Sequence, residues 1–364
     1  MSKTIRSVLA FSIFPQILLF RLLKIKPEII ETYYSNNLYP LISKLSRYAL
    51  GWLPFSFGDL MYGAGVLCVF NWIYKQSKNG FRYTKIKNYA LDVFTAISLV
   101  YFMFHMLWGF NYYRLPLHQR LKIDTQYTTT ELIKATEKII KKSNAIHLKI
   151  SNDSLKKITV PYSFKELKEK AAHGYATISE SINFLAYNPY SQKQSLYSKP
   201  LAYMGFSGYI NPFTNEAQVN WHTPKNSMPI TLVHEQAHQL GYAAENEANF
   251  IAFLATENHK DLYFQYAAHS FALQYCLNDL YLKDKAGFNK LKASISDGIL
   301  KDFEDRAAHW AQFKNPLEPL FKNFYSRFLK ANNQTQGIDS YNDVIGLIVN
   351  HIHKTQLSIE ISLD

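Results

Sequence analysis

Leu232-Val-His-Glu-Gln-Ala-His-Gln-Leu-Gly241 is the stretch that decides how this chain is read. It contains His234, Glu235 and His238 in the spacing HExxH, and a second acidic run, Glu245-Asn-Glu247-Ala-Asn249, follows closely. On a helix, residues four apart lie on one face, so the two imidazoles can close on a single Zn²⁺. Glu235, one position round the helix, can reach the water on that metal and act as general base. Metal-assisted hydrolysis then needs only a third protein ligand.

The flanks suit that reading. Ser227 is a candidate N-cap, and Pro229 is tolerated in a first helical turn. Ile230, Val233, Ala237 and Leu240 form an apolar stripe beside the histidines, and Gly241 can take the positive φ that ends a helix. A helix starting near Ala243 and folding back antiparallel brings Glu245 opposite His238 and Asn249 near the level of His234. Glu247 is turned about 200° away from Glu245. Glu245 is therefore the expected third ligand, Asn249 an orienting partner for an imidazole, and Glu247 the reserve ligand. The rival is a buried helix whose histidines only satisfy hydrogen bonds. Two histidines at i and i+4, with Glu between them and acids past the turn, argue against it.

His-Glu-Gln-Ala-His-Gln-Leu-Gly followed by Glu-Asn-Glu-Ala-Asn-Phe resembles the gluzincin arrangement, HExxH plus a helix carrying a glutamate ligand. More closely, the chain resembles a Bacteroidota family of membrane proteins known as domain of unknown function 3810. The resemblance rests on the metal motif, Leu107-Trp-Gly-Phe-Asn-Tyr-Tyr-Arg114 and Asn211-Pro-Phe-Thr-Asn-Glu-Ala-Gln-Val-Asn220. It continues through Asp305-Arg306-Ala-Ala-His309-Trp310, Phe328-Leu-Lys-Ala-Asn332 and Ser340-Tyr341. The resemblance implies a zinc-dependent, peptidase-like fold and no particular substrate. Its Glu-x-x-x-Asp/Asn register again selects Glu245; this chain has Asn249 where many gluzincins have Asp.

At 364 residues with 48% hydrophobic and 15% aromatic content, the chain can bury a core and has room for more than one unit. Apolar runs concentrate in the first third. Three are candidate transmembrane helices, near 7–23, 57–74 and 89–110, the last long enough at 1.5 Å per residue to cross a hydrocarbon core of about 30 Å. The first run starts like a signal peptide but ends in Arg21-Leu-Leu-Lys-Ile-Lys26 without a small-x-small cleavage site, so it reads as a retained anchor. The connector between the second and third runs carries Lys75, Lys78, Arg82, Lys85 and Lys87 and no acid, which assigns it to the cytoplasm. Everything after Asn111 is then expected outside. Lys24, Lys26, Lys44 and Arg47 stand mildly against that topology. The net charge of +12 fits anionic lipid headgroups better than nucleic acid, because no basic stripe is interleaved with stacking residues. Cys68 and Cys276 are not expected to pair.

Beyond Asn111 the text is helical. Thr128-Thr-Thr-Glu131 and Ser163-Phe-Lys-Glu166 are capping boxes. Leu201–Tyr209 and Ala217–Trp221 are expected strands around a turn at Asn211–Asn215, one of which could hold an extended substrate along its edge. Helices are expected over Tyr263–Leu282, Phe288–His309, Pro316–Lys330 and near Tyr341–His353. Arg306, His309 and Tyr341 are candidate donors to a tetrahedral oxyanion, with His222 a further one; His269 reads as a core residue.

The sequence thus describes a mainly α protein with a small β element. A membrane domain is expected over 1–110 and an extracytoplasmic zincin-like α+β metallopeptidase domain over 111–364. The expected setting is a bacterial cytoplasmic (inner) membrane, with a peptide or protein substrate. Two alternatives stand beside it: a catalytically silent scaffold or sensor, and a zinc hydrolase acting on lipid or cell-wall bonds.

Overall fold

Helix signals dominate this chain, and in the computed structural model, which describes residues 2–78 and 83–361, they produce a mostly α-helical protein with one small sheet. Both capping boxes close as the sequence predicts. Thr128 and Glu131 exchange hydrogen bonds of 2.7 and 3.2 Å at the head of helix Thr129–Ser151, and Ser163 with Glu166 do the same for Phe164–Ser179. Each exchange satisfies amides that a helix N-terminus otherwise leaves without partners. Helix Leu262–Lys283 packs along Thr129–Ser151, and their buried Leu132, Ile139, Phe264 and Leu273 form the main core. The HExxH helix, Met228–Gln239, lies within that core with Leu232, Val233 and Ala237 wholly buried.

The sheet has three strands, β1 Gln192–Gln194, β2 Gly208–Ile210 and β3 Ala217–Val219, in the order β1-β3-β2. β1 runs parallel to β3, and β2 pairs antiparallel with it, Tyr209 opposite Gln218. Several expected elements shift. Leu201–Met204 belongs to a short helix, Ser198–Met204, which Gly205 stops at φ 78°, so only the end of the expected strand is extended. The expected helix Phe288–His309 is two, Lys285–Lys292 and Asp297–Ala311, because the Asn144 side chain takes up the Ser294 carbonyl and the Ser296 amide between them. Tyr341 lies in a 3₁₀ turn, Gly337–Asp343, ahead of the final helix Val344–Ile361.

Among the described residues two helices are long and apolar enough to cross a membrane, Lys3–Lys24 and Tyr83–Leu107. They run parallel: Arg6 pairs with Asp92 at 2.7 Å, Ser12 meets Ser98 at 2.9 Å, and Phe20 stacks on Tyr101. The second apolar run forms helix Phe57–Lys78, antiparallel to Tyr83–Leu107: Trp72 packs edge-on against Tyr89, while Tyr62 and Phe104 share one cavity wall. Of the basic connector, Arg82 lies outside the described residues; Lys75 and Lys78 sit in the last turn of Phe57–Lys78, remote from the sheet that holds its start. That start is anchored there by Glu216, which accepts from the amides of Phe57 and Gly58 at 3.1 and 2.5 Å, and by buried Asp59, which accepts from Ser195, Leu196 and Tyr209. Residues on both sides of position 110 also share one largely aromatic hydrophobic cluster, including Phe20, Tyr34, Tyr39, Trp108, Tyr112, Ala243 and Leu329.

Candidate metal centre

The HExxH helix is positioned by partners on every exposed backbone group of its last turns. The last carbonyls of a helix have no intrahelical donor. Here the His238 carbonyl accepts from Tyr39 Oη and Trp108 Nε1, both at 3.3 Å, and the Gln239 carbonyl accepts from Ser43 Oγ at 2.7 Å. Gln239 itself donates to the carbonyls of Ser191 and Asn215 and accepts from Tyr187. Gly241 turns the chain at φ 87° against the Tyr39 ring, leaving no room for a Cβ. Ser227 corrects its expected role: it precedes the helix in αR conformation without a side-chain cap. Pro229 does occupy the first turn, where a missing N–H costs nothing.

After that turn Ala244 leads into helix Glu245–Glu257, and Glu245 faces the histidines. Glu245 Oε2 lies 3.2 Å from His234 Nε2 and 3.5 Å from His238 Nε2, and the two Nε2 atoms are 3.1 Å apart. A tetrahedral zinc with bonds of about 2.0–2.1 Å holds any two of its ligand atoms about 3.3 Å apart. The three donor atoms already stand at that spacing. The electrostatics agree, because the His238 Nδ1 donates to the Tyr242 carbonyl at 2.7 Å, which turns the lone pair of Nε2 toward the cluster. Glu245 Oε2 and Glu235 Oε2 are buried without any hydrogen-bond donor. Three acceptors converging in a buried site call for a cation. The residues therefore fit Zn²⁺, with His234, His238 and Glu245 as ligands.

Charge moves the titrations in the same sense. Burial alone would lower His238, but the Glu245 carboxylate beside it raises the imidazole to about 9. Burial alone would raise Glu245, yet His238 and His234 hold its carboxyl well below the usual carboxylate range. Burial pushes Glu235 up to about 7, with the two imidazoles pulling it back.

Glu247 is turned away, as the helix period requires. Its Oε1 accepts from the Leu117 amide at 2.6 Å, near the buried Arg114–Glu31 pair. Asn249 lines the metal cavity with its Nδ2 unpartnered and bonds to neither imidazole; His238 is oriented instead by the Tyr242 carbonyl.

A cavity of about 1200 Å³ opens over the cluster. Tyr341 and Arg306 line it; His309 does not, lying instead beside a smaller cavity with its ring against Trp310 and Phe313. Tyr341 stands beside Glu245 and Tyr325, while the Arg306 guanidinium is committed to Ser270 and Gln274 at 3.0 and 3.2 Å. His222 stacks on Trp221, and His269 is buried with neither ring nitrogen bonded, which lowers it to about 3. Sequence reasoning missed Tyr325, whose Oη donates to Glu245 Oε1 at 2.5 Å. No spacing rule links a tyrosine to a glutamate 80 residues earlier. It also missed Gly208 on β2, where a Cβ would fall on the Glu235 carboxylate.

A family model described as "Protein of unknown function (DUF3810)" matches residues 34–349. The chain belongs to the DUF3810 family. Comparison with curated proteins and with solved structures finds no match. The family match spans the HExxH helix, the Glu245 helix, Tyr325 and Tyr341, and also the 34–59 segment that anchors them.

Proposed function

We propose that this DUF3810 protein is a membrane-attached zinc metallohydrolase of gluzincin type that cuts peptide bonds. In this reading the zincin-like part beyond Asn111 lies outside the cytoplasmic membrane. The observation that carries it is the spacing of the three donor atoms at 3.1–3.5 Å beside a buried, unpartnered Glu235 carboxylate. Zinc held by His234, His238 and Glu245 would supply Lewis acidity toward a carbonyl oxygen and toward water. Glu235 takes the proton of the attacking water and passes it to the leaving nitrogen. Tyr341 and Tyr325 bring hydroxyls to the cavity wall, where a donor can stabilise the developing oxyanion. Arg306, the other oxyanion candidate in this cavity, has its guanidinium held by Ser270 and Gln274.

A peptide substrate is favoured by β2. It is an edge strand, Ser207 to Ile210 all line the cavity, and Gly208 and Ile210 alternate away from β3. Their amides and carbonyls can pair with an extended chain laid across the metal, giving affinity with little sequence selectivity.

The test is Glu235→Gln in the full-length chain. One zinc per chain should remain, measured by metal analysis, while hydrolysis of a quenched-fluorescent peptide mixture falls by about 10²–10⁴-fold. Equal turnover by wild type and variant rejects the assignment.

A further inference from the structure

We infer that the substrate is a polypeptide tethered to the bilayer, cut within a few residues of its apolar anchor. This rests on the hydrolase reading and on Tyr83–Leu107 spanning the membrane. The metal helix is bolted directly to the end of that span: Trp108 is the first residue beyond it, and its Nε1 donates to the carbonyl of the metal ligand His238 at 3.3 Å. The catalytic cluster therefore stands one side chain above the point where the span ends, at the level of the interface, where tryptophan and tyrosine collect.

The cavity wall points the same way. Phe104 from the last turns of Tyr83–Leu107 and Tyr62 from the start of Phe57–Lys78 both line the cavity that holds His234 and Glu235. Both helices carry exposed apolar faces, with Val66, Phe70, Val100 and Met103 uncovered. Tyr62 and Phe104, on the same two helices, connect them to the cavity that holds the metal cluster. On the far side of the mouth, Phe328 packs on Phe104, with ring centroids 5.9 Å apart. Phe324 and Leu320 then continue that helix face outward, 74% and 63% exposed. Such a ridge suits insertion among lipid headgroups and acyl chains rather than contact with water. A free soluble peptide gains nothing from these apolar surfaces; a chain leaving the bilayer passes them and then meets the β2 edge.

The full-length chain is reconstituted in phosphatidylethanolamine/phosphatidylglycerol vesicles. The probes are one quenched-fluorescent random peptide in three forms: free, joined to a hexadecyl chain directly, and joined through a long Gly/Ser spacer. Both lipidated forms partition equally, so membrane concentration alone cannot separate them. The expected result is cleavage of the directly joined form at least tenfold faster than the free form. In the spacer form, products should map to within about ten residues of the chain, roughly 33 Å when extended. Leu320→Ser with Phe324→Ser, at the exposed ridge positions, should slow the tethered reaction. Binding is read separately by photo-crosslinking to the Glu235→Gln variant. Cuts spread evenly along the spacer, or equal rates on the free peptide, overturn the tethered-substrate assignment and leave the hydrolase standing. Crosslinking of the tethered form without cleavage by wild type upholds the substrate class and overturns hydrolysis. Neither crosslinking nor cleavage of the tethered form overturns both.

Discussion

Removing the Tyr325 hydroxyl should weaken zinc binding without touching a ligand. Its Oη donates to Glu245 Oε1 at 2.5 Å in a partly buried setting, while Oε2 of the same carboxylate faces the two imidazoles. The bond fixes which oxygen is presented to the metal and delocalises the charge that a proton would otherwise neutralise. A hydrogen bond to a charged group contributes about 1.5–3 kcal/mol. At 1.4 kcal/mol per tenfold, its loss in Tyr325→Phe raises the zinc dissociation constant by roughly 10- to 150-fold, near the range usual for partners behind a metal ligand. Tyr341 stands near the same carboxylate, so its hydroxyl can turn to Glu245 once Tyr325 is truncated and draw the single variant toward the lower end. Tyr325→Phe with Tyr341→Phe should then exceed the sum of the two single effects in free energy. The assay is competition between metal-stripped, full-length protein and a zinc-chelating dye at pH 7. Tyr203→Phe, an exposed position remote from the ligands, is the control. An affinity within threefold of wild type for the double variant, with unchanged circular dichroism, would refute the reasoning.

Three further outcomes follow from the geometry. Glu245→Gln should abolish stoichiometric zinc at micromolar metal, whereas Glu247→Gln, which keeps an acceptor for the Leu117 amide, should bind zinc like wild type; the reverse pattern in metal analysis would reinstate Glu247 as ligand. Gly208→Ala places a methyl 2.7 Å from the Gln218 carbonyl and onto Glu235, so thermal unfolding should show a loss of about 1–3 kcal/mol together with strongly reduced hydrolysis at full zinc occupancy. Burial alone would raise Asp261, but donors from Lys170 at 2.8 Å, Tyr162 and the Tyr263 amide hold it below its ordinary value. A carboxyl depressed in the folded state stabilises above its unfolded pKa of about 3.9 and loses that contribution as pH falls through the folded value. Denaturant melts of wild type and Asp261→Asn should therefore differ at neutral pH and converge under strong acid; a constant difference would count against the ion pair.

Legibility in the sequence tracked how local each determinant was. His234, Glu235 and His238 were readable because one helical turn brings them together whatever surrounds them. The capping boxes at Thr128 and Ser163 were readable for the same reason, each closing over three residues. Glu245 over Glu247 followed from a short turn at Gly241 plus the helical period. One error fell where a distant side chain decided the outcome. The Phe288–His309 helix breaks because Asn144, about 150 residues away in the chain, bonds to both ends of the gap. Leu201–Met204 is a local miss: the run forms the end of a helix that the adjacent Gly205 stops in the left-handed conformation, and an apolar run alone does not tell helix from strand.

The sequence by itself determined the candidate metal-binding residues, the helical character and the presence of apolar segments, since all three depend on composition and spacing along a few turns. Only the tertiary structure decided what holds the centre in place. Tyr39, Ser43 and Trp108 from the apolar third saturate the terminal carbonyls of the HExxH helix, and Tyr325 from the C-terminal part secures Glu245. Those unpaired helix-end carbonyls must find donors wherever the fold supplies them. Here the supply comes from the segments next to the candidate membrane spans, a long-range choice that no local pattern encodes.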